Sequence, residues 1–557
     1  MPTVNLNKEV FEKLVGKKLE IEELKDRISM LGTDLENIEG NEIKVEVFPN
    51  RPDMLSEQGF ARAFSSFIGV KTGLRKYEIK KSGYEVVVDP SVTMRPYTVC
   101  AIVKNIDFTD EKIKEIMQIQ EKLALTHGRN RKKSAYGLYP VKNINFPITY
   151  IAKDPSKVSF HPLGMGSSIN ASEVEKLHPK GKEYKHLAEG WKKYPFFIDA
   201  KDNVMCMLPY TNSHDTGKVE LDTKEVFIEC TGTDLDNVQQ ALNILVTMLA
   251  DMGGEIYSID IRYHDRTITT PDLSPKKVKF NLQYINKMLG LNLSENEAEQ
   301  LLSKMGFGYE NGNVLVPSYR ADIMHQVDFG EDIAIAYGFE NFVPEILNVM
   351  TIGGEDPFET FKNNVANILV GLGLLETYTN RVTGKVKQTS LMNFETELVE
   401  LANSVSSEND CVRSWLTPCL MEVLHNNRHH ELPHKLFDIG EVFNFDKENK
   451  TETGVKEDTR LGIVVAQEDA DYTKVRQILD YLFSHLGIKA SYKETEHSSF
   501  IPGRVARVSV SHGEENKQIA YIGEIHPSVL SNWGLEVPVA VFELNLSELF
   551  GFMDLGK

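Results

Sequence analysis

The stretch "PSYRADIMHQVDFGEDIAIAYGF" places four carboxylates, Asp322, Asp328, Glu331 and Asp332, within eleven residues. Asp328, Glu331 and Asp332 follow the i, i+3, i+4 spacing, so on a helix they share one face, where like charges repel. Oxygen donors without nitrogen or sulfur suit a hard cation such as magnesium or calcium, and magnesium commonly keeps waters and shares its ligands with another group. The alternative is an acidic helix start, with Asp328 as the N-cap and Glu331 and Asp332 favouring the positive end of the dipole by about 0.3–1 kcal/mol each. A second polar concentration lies in the middle of the chain. "EKLALTHGRNRKKS" gathers Arg129, Arg131, Lys132 and Lys133, while "LPYTNSHDTGKV" and "FIECTGTD" are polar loops beside strand-like runs. These segments fit either a solvated surface or a site.

The elements that hold the carboxylates occur twice. Gly16 and Gly32 are sixteen residues apart, as are Gly290 and Gly306; each pair brackets an amphipathic helix pattern and precedes a β-like run ending at Pro49 or Pro317. Each copy then reads Arg-x-Asp before a last helix, with Arg51 and Asp53 matching Arg320 and Asp322. One helix-hairpin-helix module is thus expected in two copies. Counted from the shared arginine, Asp328 falls opposite Gly59, Glu331 opposite Arg62 and Asp332 opposite Ala63. The acidic cluster belongs to the second copy, so the module does not need it in order to fold.

Composition bounds the rest. At 557 residues the chain is too long for one core, and 41% hydrophobic with 26% charged residues is the balance of a soluble globular protein. Apolar runs fall short of the roughly 20 residues that span a bilayer, and the start "MPTVNLNKEVFEKL" has no secretory core, so a cytoplasmic protein without a membrane partner is expected. Five scattered cysteines without a CxxC argue against a disulfide framework and a zinc site. A net charge of −19 excludes a bulk electrostatic grip on nucleic acid and leaves only local contacts.

The duplicated module, with "FPNRPDMLSEQGFARAF" first and "PSYRADIMHQVDFGEDIAIAYGF" later, resembles the β subunit of phenylalanyl-tRNA synthetases of the archaeal and eukaryotic type. The resemblance implies an α+β, multidomain chain: a B1-like module at 1–80, a B3/B4-like editing domain at 90–265, a B5 domain at 270–345 and a B6/B7 catalytic-like module at 350–557. It implies that Asp322, Asp328, Glu331 and Asp332 bind Mg2+ shared with an α subunit. That subunit would use ATP to join phenylalanine to tRNA(Phe) within an α2β2 heterotetramer. The middle domain would hydrolyse wrongly tyrosylated tRNA in a pocket to which Arg129, Asn212, Ser213, Thr231, Thr233 and Asp234 are assigned. Such discrimination is physically reasonable, because a pocket that hydrogen-bonds the tyrosine hydroxyl leaves polar groups unpaired when phenylalanine enters. The sequence departs from relatives at Tyr139 and Pro140, which replace a polar pair, and at His214, which stands where a glutamate is usual. Weakened editing is therefore expected.

In the last region, "NDCVRSWLTPCLMEVLHNN" and "HKLFDIGEVFNF" resemble class II motif 2, and "GEIHPSVLSNWGLEVPVAVFELNL" occupies the place of motif 3. The motif 3 arginine that holds ATP is missing, since residues 523–544 contain no arginine. A class II-like antiparallel sheet without synthetic activity is implied, with Arg413 and Glu441 in structural or interfacial roles. The bacterial anticodon-binding ferredoxin-like domain and an inserted oligonucleotide-binding barrel are not expected. Two rivals stand beside this reading: a scaffold subunit that has lost editing, and a stand-alone metal-dependent hydrolase, which lacks a histidine or second carboxylate group beside the cluster for general-base work.

Overall fold

A computed structural model describes residues 2–448, 450–512 and 515–553. The chain forms two compact units, Met1–Ile346 and Leu347–Lys557. Both mix helices with sheets. No helix among the described residues is long and apolar enough to cross a membrane.

The duplication is visible element by element in the first unit. The first copy runs strand Thr3–Asn7, helices Lys8–Val15 and Ile21–Met30, strands Asp34–Glu39 and Glu42–Glu46, and helix Glu57–Phe67. The second runs Lys276–Lys279, Leu282–Leu289, Glu295–Lys304, Gly308–Glu310, Asn313–Val316 and Asp328–Tyr337. In both, the opening strand pairs with the third, which pairs with the second. The opening strand is an addition to the helix-hairpin-helix pattern, because "TVNLN" and "KKVK" are too short and polar to announce themselves. Local chemistry repeats as well. Asn7 and Asn281 each cap a helix start by accepting an amide N–H, at 3.2 and 3.0 Å. Gly16 and Gly290 end those helices at φ 82° and 70°, where a Cβ would be strained.

Between the copies lies a ten-stranded sheet. Its main path runs Thr211–Asn212, Val204–Met207, Tyr194–Ile198, Ile148–Lys153, Ile79–Val88, Glu255–Arg262, Tyr97–Lys104, Val226–Gly232 and Ser134–Pro140, with Thr267–Thr270 pairing to Glu255–Arg262. The helix Leu235–Asp251 buries Leu242, Leu245 and Leu249 in one hydrophobic cluster shared by both copies and this sheet. Arg62 joins the first copy to that helix through a 2.7 Å ion pair with Asp251.

The second unit is built on a seven-stranded sheet, antiparallel except for the pairing of Leu375–Glu376 with His434–Phe445. Leu461, Ile463, Phe542 and Leu544 bury one face of it beneath apolar residues of the helices Pro357–Gly371, Tyr472–His485 and Leu546–Phe552.

Gly59 has a steric reason. A Cβ there would stand 1.9 Å from the Asp53 carbonyl oxygen, so the first copy cannot carry the counterpart of Asp328. Gly59→Ala is expected to destabilise the chain by about 1–3 kcal/mol through forced backbone movement, read as a lower urea midpoint.

Candidate functional site

Arg320 organises the carboxylate cluster. Its Nε and Nη2 donate to the two oxygens of Asp322 at 2.8 and 2.7 Å, and Nη2 also donates to Asp332 at 2.8 Å. Arg51 makes the same two-pronged contact with Asp53 in the first copy, both bonds at 2.9 Å. Burial pushes the Asp322 carboxyl upward, but the charge and hydrogen bonds of Arg320 outweigh it and hold the group below the ordinary carboxylate range. Asp332 is more deeply buried, and there desolvation wins over Arg320 and Arg51, so its carboxyl lies above that range.

The other two carboxylates behave differently. Asp328 is the first helical residue rather than the N-cap, which is Val327, and one of its oxygens accepts the Met324 and His325 amides at 2.8 Å each. Glu331 is exposed and makes no hydrogen bond or ion pair among the described residues. All four line one cavity of ≈ 600 Å³, shared with Arg51, Arg129 and Lys133.

Do these residues fit a magnesium ion? Among the described residues no three acidic, histidine or cysteine side chains converge on a common point. Asp322 and Asp332 are committed to Arg320. Asp328 and Glu331, one helical turn apart on the cavity wall, remain available, and one or two carboxylates completed by water is a common magnesium arrangement. The donor set therefore fits a partly hydrated ion on two carboxylates better than a four-carboxylate cage.

The six residues assigned to a middle pocket are not brought together. A second cavity, of ≈ 630 Å³, lies along the helix Asp110–Leu125 and the strand Ser134–Pro140, with Ile116, Leu138 and Val219 as apolar walls. Asn212 and His214 line it, with Arg131 and Lys180. Ser213 sits behind, capping the short helix His214–Gly217 by accepting the Asp215 amide. Arg129 lies instead on the carboxylate cavity, at the start of a left-handed run with φ of 49° at Arg129, 53° at Asn130 and 62° at Arg131. Thr231 is fully buried, and its hydroxyl finds no partner among the described residues. Thr233 is exposed on a loop. Asp234 caps the helix Leu235–Asp251; the Asn237 amide, with Lys133 at 3.1 Å, holds its carboxyl below the usual range.

Tyr139 does not remove polarity from this region. Its ring is buried, yet its hydroxyl donates to Asn212 Oδ1 at 3.0 Å and lies 3.3 Å from Glu229 Oε1. Pro140 closes the strand opposite Val226. His214 stacks on His161 with ring centroids 4.5 Å apart, and His161 Nδ1 is 3.4 Å from Asp215. Glu229 is the residue that pattern reading passed over. It is fully buried between Tyr139 and Gly137, and desolvation pushes its carboxyl up to about 8. The available signal was a lone acid inside the apolar run "VFIECTG".

In the second unit Arg413 is a strut. It donates to the Glu441 carbonyl at 2.7 Å and to the Thr379 hydroxyl at 2.6 Å, with Asp438 at 3.4 Å, while Glu441 pairs with Arg381. All five cysteines are buried and unpaired.

Comparison with known proteins agrees with this architecture. The family profile described as "Phenylalanyl tRNA synthetase beta chain CLM domain" matches residues 343–546, and "tRNA synthetase B5 domain" matches residues 278–339. The phenylalanine–tRNA ligase β subunit of Pyrococcus abyssi is 39% identical over 561 residues, covering 99% of this chain and 100% of the relative. That of Archaeoglobus fulgidus is 36% identical over 559 residues, 99% of each chain. The crystal structure of an N-terminal fragment of the phenylalanyl-tRNA synthetase β subunit from Pyrococcus horikoshii aligns with a TM-score of 0.58 at 40% identity, covering 60% of this chain and 99% of the fragment. Full-length identity at this level, together with both profile matches, means that the chain belongs to the phenylalanine–tRNA ligase β-subunit family.

Proposed function

We propose that the chain acts in the cytoplasm as the β subunit of a phenylalanine–tRNA ligase, paired with a catalytic α subunit as α2β2. The α subunit consumes ATP and charges tRNA(Phe), and this chain contributes assembly and hydrolysis of tyrosyl-tRNA(Phe). The observation that carries the reading is the 39% identity spread over 99% of the chain and the whole of its relative. The division into modules at 1–80, 90–265, 270–345 and 350–557, with a class II-like but inactive last module, follows the same reading. It is supported by the repeated strand order of the two copies, by the antiparallel sheet of the second unit and by the use of Arg413 as a strut. Purified alone with ATP, phenylalanine and tRNA, the chain should give no ATP–pyrophosphate exchange; with its α subunit, charging should appear. Exchange by the chain alone would sink the proposal.

For proofreading, the cavity that holds Asn212 and His214 is the favoured site. Asn212 lines it with its side-chain oxygen held by the buried Tyr139 hydroxyl, which leaves its amide nitrogen as the group to meet a tyrosine hydroxyl. Asn212→Ala should slow tyrosyl-tRNA hydrolysis by the assembled enzyme at least about tenfold while leaving phenylalanylation intact. Asp234→Ala, which removes a helix cap, should act on both through stability. The scaffold alternative rests on His214 in place of a carboxylate, and an assembled enzyme with no deacylation of tyrosyl-tRNA would establish it.

When bound, Mg2+ would supply positive charge on the cavity wall, held by Asp328 and Glu331 with water, while Arg320 keeps Asp322 and Asp332 in place beside it. Groups on both subunits that stabilise one ion link metal affinity to assembly. Asp328→Asn with Glu331→Gln should lower the melting temperature of the complex in magnesium buffer toward that in chelator. If the two buffers give equal melting temperatures for the unsubstituted complex, the cluster is an acidic helix start.

A further inference from the structure

The two copies of the duplicated module meet over a small cavity of ≈ 20 Å³, room for about one water-sized guest. Beside it the Ser66 hydroxyl of the first copy donates to the Ser303 carbonyl of the second at 3.1 Å, and the Gly73 amide donates to the same oxygen at 2.7 Å. The wall brings together Arg51 and Arg62 from the first copy, Arg75 from the segment that follows it, and Arg320 from the second. Among the described residues of that wall Asp53 is the one carboxylate. Asp251, Asp322 and Asp332, which pair with Arg62 and Arg320, do not line it. Arginines gathered around so small a space repel one another unless something negative lies between them.

We propose that this cavity is a halide site, holding one chloride ion between the two copies. The first argument is which hydrogen-bond donors are left over. Arg62 gives Nη1 to Asp251 and Tyr77 at 2.7 and 3.1 Å, and Arg320 gives Nε and Nη2 to Asp322 and Asp332. Arg62 Nη2 and Arg320 Nη1 are buried and find no acceptor among the described residues. Buried donors are almost always paired, so each of these marks an acceptor to be named. A guanidinium is planar, and the nitrogen outside a forked pair points away from the carboxylate that the fork holds. For Arg320 that direction leads away from the cavity of Asp322 and Asp332 and toward this one, which Arg320 also lines. Rings cover the guanidinium faces, Tyr319 that of Arg62 at 3.9 Å and Phe307 that of Arg320 at 4.7 Å. With side-chain exposures of 6% and 2%, neither arginine can turn to bulk water.

The second argument is charge. Arg51 and Asp53 close on each other, and Arg62 and Arg320 have carboxylates of their own. Arg75 does not: it donates to the Lys71 carbonyl at 3.0 Å and makes no ion pair among the described residues. Burial pushes its guanidinium below the ordinary range, and the Arg62 charge adds to that. One cation without a carboxylate and two N–H groups without acceptors are answered together by a single monovalent anion, which accepts on every side. A water molecule answers the donors but not the charge. Tetrahedral oxyanions such as phosphate and sulfate are several times too large for the space.

The test uses the purified full chain. Crystals grown with bromide in place of chloride should give an anomalous peak between Arg62 and Arg320, and crystals grown in sulfate should give none. In solution, melting is followed in sodium chloride and in sodium gluconate at equal ionic strength, which separates binding from screening. The melting temperature should climb by about 2 °C or more for each tenfold rise in chloride above its dissociation constant and stay level in gluconate. Arg62→Lys keeps a charge for Asp251 but removes the unpartnered Nη2, and Arg75→Met removes the cation that has no carboxylate; each should weaken chloride binding at least about tenfold. Arg75 is half-buried and outside the ion pairs, so its variant is expected to fold even where Arg62→Lys does not. No bromide peak in the cavity, melting curves that coincide in the two salts, or a chloride response unchanged in Arg75→Met would each overturn the proposal and leave a buried water only. No arm of the test needs an α subunit or tRNA, so its outcome is independent of the chain's role as a β subunit.

Discussion

Replacing Arg320 by methionine is expected to cost about 3–5 kcal/mol, because it strands two buried carboxylates that now share one guanidinium. Arg320 and Asp332 are nearly inaccessible, with side-chain exposures of 2% and 7%, so water cannot replace the lost partner. Arg51 is close enough to draw the Asp332 carboxyl downward, but it is already paired with Asp53. The readout is hydrogen exchange along the helix Asp328–Tyr337, whose protection should fall by the same free energy. The triple variant Arg320→Met, Asp322→Asn, Asp332→Asn should recover most of the loss, since what is costly is the unpaired charge rather than the missing ion pair. A single variant as stable as the parent would mean that the two acids are not held by Arg320. The pH dependence carries a sign. Asp322 is depressed in the folded chain, so its contribution is present above its unfolded pKa and is lost as pH falls through the folded one; Arg320→Met leaves burial to raise the carboxyl and should reverse the sign of that dependence.

Glu229→Gln should change stability in the opposite direction with pH. Burial raises the Glu229 carboxyl from its ordinary 4.5 to about 8, so the folded chain retains a proton that the unfolded chain releases. Its contribution is complete below the unfolded pKa and disappears as pH rises through the folded one. Over that window the parent should lose about 4 kcal/mol relative to the glutamine variant, which keeps the shape and the acceptor for Tyr139 without a titrating proton. Melting curves of both proteins from about pH 5 to about pH 8 check it. Parallel curves would show that Glu229 is ionised in the folded state. Because Tyr139 ties Glu229 to Asn212, the same substitution reports on the middle cavity, and tyrosyl-tRNA hydrolysis by the assembled variant shows whether that proton matters to proofreading.

By itself the sequence determined the duplication, the family and the unequal charge of the two copies. Glycine spacing, the Arg-x-Asp pair and the acidic run are local features, and the helices and turns that follow from them are set by nearest neighbours along the chain. Which charges meet was decided only by the tertiary structure. The carboxylate face is relieved first by Arg320, two residues from Asp322 but twelve from Asp332, because the turn before the helix folds its guanidinium between them. Gly59 is bare because a backbone oxygen from a preceding turn occupies the space of a side chain. Arg129 and Asn212 face different cavities because the left-handed run from Arg129 to Arg131 turns the chain between them, leaving Arg131 in the cavity of Asn212. Tyr139, a departure in sequence, keeps a hydroxyl where polarity is needed because its strand lies beside Glu229. Contacts between residues far apart in sequence have no signature in spacing; they exist only once burial removes water and makes each polar group find its partner in the fold.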